Sequence, residues 1–351
     1  MGLLYSLNRF RQRLFLRNFS VLHNNYKTPP PGFVIWDATK NCNLKCIHCS
    51  SENTGGNELD LIEIMTILDQ VAAAGVKRLQ ITGGEPLLRE DLFRVLHHAV
   101  AKRFAVSLAS NGYFIDKEKA DLLAKTGVSV VQISLDGPAV VHNEIRGDND
   151  SFTLAIEAIR ALKKHPHIQV GVSTTVMPRN LAFLPELKSI LVPLNVNFWS
   201  FGIVLPSGKA RHASTLFLNP EQFSELMGFI RHTRRVMPIE FVENFPYIGI
   251  LDAQIRRSPK ICPAGIMSCC IGVDGWLRGC PDQEDNTHYR EGNLHQDNFR
   301  DIWQRAFRRY RNQEIVDNDP RCHQCIDLEK CRGGCWVMRD EGLHCYRDYL
   351  T

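Results

Sequence analysis

The sequence predicts an α/β protein, a partial (β/α)6 barrel of parallel strands followed by a small cysteine-rich, metal-organised C-terminal domain. Two observations lead to this prediction. Between residues 33 and 205, β-branched or continuously apolar runs alternate with helical patterns, which is the order of a parallel sheet with helical crossovers. From residue 262 onwards the regular periodicity ends, and nine of the twelve cysteines lie there.

The predicted strands are apolar runs of the kind that is buried on both faces of a parallel sheet. They cover residues 33–39, 76–82, 105–110, 128–135, 168–176 and 196–204. Helices are expected between them, where apolar residues repeat every three or four positions. The helices are expected to begin at Leu61, Leu92, Asp116 and Ser151. Gly75 is expected to end the first of them and Gly127 the third. A further helix is predicted at about 220–236.

We expect four parts along the chain: a basic amphipathic segment (1–32), the partial barrel (33–215), a helical connector (216–261) and the cysteine-rich domain (262–351). The first segment carries Arg9, Arg11, Arg13 and Arg17 between apolar residues at helical spacing. This pattern predicts a helix that packs against the body of the protein, or one that docks on a membrane surface or a partner. It is too short and too charged to span a bilayer.

The composition narrows the class of function. The chain has 42 basic and 38 acidic residues and a net charge of +4, so we expect no nucleic-acid partner. The twelve cysteines come without a recognisable signal peptide. A disulfide framework is therefore disfavoured, and we expect a cytoplasmic chain whose reduced thiols are available to metal.

Three cysteines follow the first predicted strand at the spacing C-x3-C-x2-C: Cys42, Cys46 and Cys49. Thiolates are the usual protein ligands of iron–sulfur clusters, and three of them leave one iron of a four-iron cluster open. A zinc site, which normally takes four ligands, would need His48 as its fourth. The motif Gly83-Gly84-Glu85-Pro86 begins 34 residues after Cys49, at the end of the second predicted strand.

The triad, with an aromatic ring (His48) before its last cysteine and with GGEP after it, resembles the radical S-adenosylmethionine superfamily. The resemblance covers about residues 33–205 and implies a [4Fe-4S] cluster with one open iron that binds S-adenosylmethionine. An electron from that cluster would cleave a C–S bond, and the 5′-deoxyadenosyl radical would abstract hydrogen from a substrate. A reductant such as flavodoxin or ferredoxin is then expected as a partner.

The resemblance also implies a site for S-adenosylmethionine at the carboxyl ends of the strands. Gly83 and Gly84 would let backbone approach the ligand closely, and their carbonyls, with Glu85, would accept from its ammonium group. The residues expected to complete the site are Ser134 and Asn111 for the ribose, Arg146 for the carboxylate, and Asp136 and Pro86 beside them. The open alternatives are a helix cap for Glu85, a surface position for Arg146, and ordinary turns at Asn111-Gly112 and Asp136-Gly137.

The C-terminal cysteines resemble the SPASM extension of radical enzymes that modify peptides and proteins. That family typically holds two auxiliary [4Fe-4S] clusters, which would bring the total to three. The first would be bound by Cys262, Cys280 and Cys335, and the second by Cys322, Cys325, Cys331 and Cys345. Either Cys269 or Cys270 could supply a fourth ligand to the first cluster, or neither. A zinc ribbon is the alternative.

Asp282 is the candidate catalytic residue of this region. In sulfatase-maturating relatives an acid directly after the equivalent cysteine acts as a base. Here the acid stands one position further on, after Cys280-Pro281, and is followed by Glu284 and Asp285. A solvated acidic loop is the alternative.

The resemblance implies an enzyme that acts on a residue of a ribosomally made peptide and yields a crosslinked, oxidised or epimerised product. Because only residues 1–32 precede the predicted barrel, we expect either a separate small leader-binding protein or recognition of the leader by the basic amphipathic segment. The alternatives are tetrapyrrole side-chain chemistry of the haem-synthesis type and sulfatase maturation. Outside the enzymes, the alternatives are an iron–sulfur electron carrier and a zinc-stabilised binding module.

Overall fold

In the computed structural model, which describes residues 28–50, 57–242, 244–256, 261–312, 314–343 and 345, all six predicted strands form and pair in parallel in chain order. They are β1 (Phe33–Asp37), β2 (Arg78–Thr82), β3 (Ala105–Ser110), β4 (Val130–Ser134), β5 (Gln169–Val176) and β6 (Phe198–Ile203). The predicted α/β class is confirmed. The strand order is linear, so the described sheet is open, as a partial barrel requires.

Helices lie between the strands of the barrel and after them along the chain. In chain order they are α1 (Leu61–Ala73), α2 (Leu92–Ala101), α3 (Lys117–Thr126), α4 (Ala139–Arg146), α5 (Ser151–Leu162), α6 (Pro178–Leu181), α7 (Leu184–Leu194), α8 (Pro220–Thr233), α9 (Asp252–Ile255), α10 (Phe299–Arg305), α11 (Arg308–Arg311), α12 (Glu314–Asp317), α13 (Leu328–Cys331) and α14 (Trp336–Asp340). Asp116 caps α3 by accepting from the Lys119 N–H, and Gly127 ends that helix with φ of 82°. Helix α4 was not predicted.

The sheet continues beyond the predicted barrel at both edges. On one side, β7 (Ile239–Phe241) pairs with β6, inside the predicted helical connector. On the other side, β8 (Ser268–Ile271) pairs in parallel with β1 and leads into the antiparallel strands β9 (Trp276–Arg278) and β10 (Gly292–Asn293). The cysteine-rich region therefore contributes three strands to the same sheet.

The C-terminal region also shares the main hydrophobic core. Phe299, Trp303 and Trp336 belong to the same buried cluster as Val34 and Leu79 of the barrel. The predicted N-terminal helix lies in residues 1–27, outside the described residues. Among the described helices, none is both long and apolar enough to cross a membrane.

Candidate active site

A cavity of about 710 Å³ lies against the inner face of the sheet, a volume typical of small-molecule sites. Side chains of β1 to β5 form its floor, and the chain after β9 forms an opposite wall. Eight of the predicted site residues line it: Cys49, Gly83, Ser134, Arg146, Cys262, Cys280, Asp282 and Cys335. The cavity thus borders both the first triad and the C-terminal cysteines.

The triad loop is held by backbone hydrogen bonds to the end of α4. The Lys45 and Ile47 N–H groups donate to the Arg146 and Ile145 carbonyls over 3.2 and 3.1 Å. Burial raises the pKa of the Cys42 thiol, and the nearby thiols of Cys46 and Cys49 raise it further. The three thiols are therefore near enough to influence one another's charge, and three thiols in one loop are the ligand type that an iron–sulfur cluster takes.

The two glycines of GGEP are needed for close contacts within the chain itself. Gly83 has φ of +140°, and a Cβ at Gly84 would lie 2.1 Å from the Asn41 carbonyl oxygen. The Gly84 and Glu85 N–H groups donate to the Thr39 and Asn41 carbonyls over 2.6 and 2.8 Å. It is the chain's own backbone, just before Cys42, that approaches these glycines closely.

Glu85 is fully buried and connects the ends of β2 and β3. Its carboxylate accepts from the Ser110 hydroxyl and the Asn111 N–H over 2.9 and 2.8 Å, and from the Leu87 N–H over 3.2 Å. The last bond caps a short 3-10 helix, Pro86–Leu88, that begins at Pro86. Burial raises the pKa of Glu85 to about 7. The Glu85 carboxylate is thus surrounded by protein donors.

The side chain of Asn111 also bonds within the protein. Its amide donates to the Asn43 oxygen over 2.8 Å, and its own oxygen accepts from the Tyr113 N–H over 2.8 Å. Asn111 is absent from the cavity wall, whereas Ser134 lines it. Of the two residues predicted for a ribose, the structure brings only Ser134 to the cavity.

Asp136 and Arg146 form a buried ion pair beside the triad. The Arg146 Nε donates to Asp136 over 2.7 Å, and its Nη1 lies 3.6 Å from the Cys46 sulfur. Burial alone would raise the pKa of Asp136, but Arg146, followed by His48 and His142, holds it below its usual value. Asp136 is fully buried and Arg146 is 8% exposed, so the alternative of a surface position for Arg146 is wrong.

His48 lies in the triad loop and lines the cavity. Burial lowers its pKa to about 4, so its imidazole is neutral near pH 7. Its Nδ1 is buried without a hydrogen-bond partner among the described residues.

Cys262, Cys280 and Cys335 gather at the wall of the cavity. A hydrogen bond with Cys262 is the largest cause that raises the pKa of Cys335, followed by burial and by the charge interactions with Cys262 and Cys280. Three thiols at one place fit the predicted first auxiliary cluster in number and chemistry. In the described parts of the chain, no three Cys, His, Asp or Glu side chains are arranged to hold a single metal ion. The group is defined by its three cysteines at one part of the cavity wall.

Cys269 and Cys270 lie on opposite faces of β8. Cys270 pairs in register with Ile35, which lines the cavity, and lies near Asp37, Arg278 and Cys280. Cys269 pairs with Val34 in the core on the other face. The pKa of each thiol is raised by burial. Cys270, not Cys269, faces the first auxiliary group.

The second C-terminal group surrounds Cys331. Burial raises the pKa of Cys331 to about 12, with Cys322 and Cys345 among the further causes. Cys322 and Cys325 are the two ends of one turn, in which the Cys325 N–H donates to the Cys322 carbonyl over 2.9 Å. These are the four cysteines predicted for the second auxiliary cluster.

Asp282 lies in the cavity wall and accepts from the Ser50 hydroxyl over 2.8 Å. Its neighbours are also paired, Asp285 with Lys40 and Arg290, and Glu284 with Arg211. The alternative of a solvated acidic loop is therefore wrong. These carboxylates fasten the chain after β9 to the loops of the barrel.

Several residues that shape the site were not predicted. Asp37 ends β1 and accepts from Arg278 of β9 over 2.7 Å, and both line the cavity. Arg89 donates to the carbonyls of Ala38 and Leu59 over 2.9 and 3.0 Å, at the start of the triad loop. Two features of the sequence could have indicated them: Asp37 is a charged residue at the end of an apolar strand, and Arg89 directly follows GGEPLL.

Replacement of Gly84 by alanine tests the close backbone contact. The new Cβ would displace the chain that leads into Cys42, so we expect a loss of about 1–3 kcal/mol of stability from overpacking. Iron bound at the first triad should fall with it. Anaerobic denaturant unfolding and iron analysis measure the two effects.

Gly228→Ala is the matched control, because a Cβ there meets nothing within 4 Å in helix α8. Its stability should stay equal or rise slightly, since alanine has the better helix propensity. Equal behaviour of the two variants would contradict the packing argument.

Known families match both parts of the chain. Residues 36–182 match the family model of the radical SAM superfamily, and residues 262–326 match that of SPASM, an iron–sulfur cluster-binding domain. These domains imply S-adenosylmethionine and [4Fe-4S] clusters, in agreement with the thiol groups described above.

Individual relatives divide between two kinds of enzyme. The chain is 29% identical over 317 residues to the mycofactocin maturase MftC of Mycobacterium tuberculosis, covering 88% of this chain and 79% of the relative. It is 25% identical over 330 residues to an AdoMet-dependent heme synthase of Oleidesulfovibrio alaskensis, covering 88% and 83%.

Among solved structures, Streptococcus suis SuiB bound to S-adenosylmethionine superposes with a TM-score of 0.73 at 17% identity, covering 93% of this chain and 78% of that one. This likeness shows a common fold. Together with the two family matches and the cysteine groups at one cavity, it leads to one conclusion. The chain contains a radical SAM domain at residues 36–182 and a SPASM domain at residues 262–326.

Proposed function

We propose that the chain abstracts a hydrogen atom from a residue of a ribosomally made peptide and yields a crosslinked, oxidised or epimerised product. One observation carries the proposal: Cys49 of the first triad and the three cysteines of the first auxiliary group border the same cavity. A substrate held there would be within reach of both a radical source and an electron acceptor.

The residues present fit the group that the family implies. Cys42, Cys46 and Cys49 would hold the first cluster. When bound, S-adenosylmethionine and that cluster supply a 5′-deoxyadenosyl radical. The neighbouring backbone of Gly83 and the hydroxyl of Ser134 line the same space and would bind and orient S-adenosylmethionine. Arg146, whose Nε bonds to Asp136, would offer its remaining N–H groups to the carboxylate of that ligand.

The charges of the wall favour a peptide over a tetrapyrrole. Among the described residues, the lysine and arginine side chains that line the cavity are Lys40, Arg146 and Arg278. Each is paired with a carboxylate, Asp285, Asp136 and Asp37 respectively. A tetrapyrrole carries several carboxylates and would need several cations to pair with it, more than these three side chains, each already paired, can offer.

The floor of the cavity supplies uncharged hydrogen-bonding groups instead. Gln80, Gln132, Ser173 and Thr175 line it from β2, β4 and β5. Amide and hydroxyl side chains suit the backbone N–H and C=O groups of an extended peptide. This match supports the peptide assignment, and the mycofactocin maturase MftC among the relatives agrees with it.

Tetrapyrrole side-chain chemistry is the second candidate, favoured by the haem-synthase relatives. Both candidates need the same radical source, and they differ in what occupies the polar floor. The experiment therefore offers both substrates to the anaerobic, reduced protein with S-adenosylmethionine. One is any short peptide encoded by a reading frame next to this gene, and the other is Fe-coproporphyrin III.

A mass change on the peptide, with 5′-deoxyadenosine released, is the expected result. Loss of carboxyl groups from Fe-coproporphyrin III, with the peptide unchanged, would overturn the peptide assignment and favour the second candidate. Assays with and without a small leader-binding protein, and with flavodoxin or ferredoxin in place of a chemical reductant, test the proposed partners.

The C-terminal cysteines would hold two auxiliary clusters, giving three in all. Cys262, Cys280 and Cys335 would bind the first, with Cys270 as the candidate fourth ligand, and Cys322, Cys325, Cys331 and Cys345 the second. Bound by these cysteines, the two clusters would supply an acceptor for the electron that a substrate radical must lose to form a closed-shell product. Asp282, in the wall between the two cysteine groups, is the proposed proton acceptor.

Replacement of Cys331 by alanine should separate the two halves of the reaction. We expect product to be lost while 5′-deoxyadenosine is still formed, because Cys331 lies outside the first triad and away from the cavity wall. Liquid chromatography of both compounds from one reaction measures the ratio.

Cys269→Ala is the matched control, since Cys269 faces the core instead of either cysteine group. It should keep both product and 5′-deoxyadenosine. An equal loss of the two compounds in Cys331→Ala would argue against an electron-accepting role.

A further inference from the structure

The loop after Cys280 contacts both ends of the segment that carries the first triad. We define the acidic loop as Asp282–Asp285 and the triad segment as residues 40–50. The acidic loop belongs to the C-terminal region, and its contacts on the triad segment are more than 230 residues distant in sequence. Both segments line the cavity.

At the start of the triad segment, Asp285 pairs with Lys40. The Lys40 Nζ and Asp285 Oδ2 are 3.4 Å apart, and the two side chains are 18% and 15% exposed. The other oxygen of Asp285 accepts from Arg290 Nε over 2.9 Å. Arg290 therefore orients the carboxylate toward Lys40, two residues before Cys42.

At the end of the triad segment, Asp282 accepts from Ser50. The Ser50 hydroxyl lies 2.8 Å from Asp282 Oδ1, in the residue directly after Cys49. The other oxygen of Asp282 lies 3.7 Å from the Cys280 sulfur. Asp282 thus connects Ser50, beside the first triad, with Cys280 of the first auxiliary cysteine group.

The base of the acidic loop is fixed by its own hydrogen bonds. The Arg278 Nη1 donates to the Gln283 carbonyl over 2.8 Å, while the Gln283 side-chain oxygen accepts from the Tyr310 hydroxyl over 2.7 Å and the Cys280 N–H over 3.2 Å. Gln283 is 4% exposed. A loop fixed in this way can transmit the position of the Cys280 turn to both ends of the triad segment.

We propose that Asp282 and Asp285 are positioning residues that hold the two ends of the triad segment, so that the auxiliary region sets the geometry in which S-adenosylmethionine binds at the first site. The inference rests on the proposed function for its reaction, but the contacts stand independently of the substrate. Preorganisation of this kind strengthens ligand binding without contact to the ligand.

A double-mutant cycle on Lys40 and Asp285 tests the first contact in the holoenzyme. The variants are Lys40→Met, Asp285→Asn and the double variant, assayed for 5′-deoxyadenosine formation with dithionite and S-adenosylmethionine alone. We expect each single change to raise the KM for S-adenosylmethionine by about two- to tenfold, with kcat nearly unchanged. The KM of the double variant should be no higher than that of the single variant with the higher KM, because contacting residues act non-additively.

Ser50→Ala tests the second contact and should raise the same KM without loss of bound iron. Hydrogen–deuterium exchange of the holoenzyme should show faster exchange in peptides covering residues 38–50 in all of these variants, and unchanged exchange in β4 and β5. The exchange result keeps the proposal testable where a variant is poorly active.

Asp69→Asn is the matched control. Asp69 pairs with Lys102 over 2.8 Å and with His98 over 2.7 Å on helices away from the cavity, so its removal should leave the KM unchanged. Additive effects in the cycle, or unchanged KM and exchange in Lys40→Met and Ser50→Ala, would overturn the proposal. Absence of 5′-deoxyadenosine from the wild-type protein would instead count against the proposed function.

Discussion

The contact between two stretches of backbone, Gly83–Gly84 after β2 and Thr39–Asn41 after β1, is the constraint on which the site depends. Two N–H groups of the GGEP turn donate to carbonyls of the chain that leads into Cys42. A side chain on Gly84 cannot fit into this contact. The direction in which the cysteine loop leaves β1 is therefore set by the turn that follows the neighbouring strand β2.

Buried charges then fix the surroundings of that loop. Asp136 with Arg146, and Asp37 with Arg278, are ion pairs with little or no exposure. Desolvation opposes each pair, so such pairs add little net stability, but removal of one partner leaves a buried charge that costs about 3–5 kcal/mol. Their value lies in orientation, because each one holds a cavity-lining cation in a single position and neutralises it. The result is a cavity with many polar groups and little free positive charge.

The sequence predicts the barrel well because its signals are local. Apolar runs mark β1 to β6, and Asp116 and Gly127 delimit α3 as their capping chemistry requires. The order of the motifs also places Gly83, Ser134 and Arg146 at one cavity, since the carboxyl ends of parallel strands meet at one edge. The grouping of Cys262, Cys280 and Cys335 follows from a family resemblance and from nothing in the local pattern.

The remainder depends on contacts that no local pattern contains. Strand β8 is four residues long and includes two cysteines, and it forms because β1 and β9 both pair with it. Asn111 resembles a ligand-binding residue or a turn, but its amide bonds to Asn43 across the sheet edge. The acidic loop looks solvated in the sequence because Lys40, Ser50 and Arg211 are far away along the chain.

The most direct test of the account is the formation of 5′-deoxyadenosine from S-adenosylmethionine by anaerobically reduced wild-type protein and by its Cys42→Ala variant. The account predicts that the wild-type protein releases 5′-deoxyadenosine and that the variant, with only two thiols left for the first cluster, releases none. Release at equal rates by both proteins, or by neither when the wild-type protein carries its full iron, would contradict it.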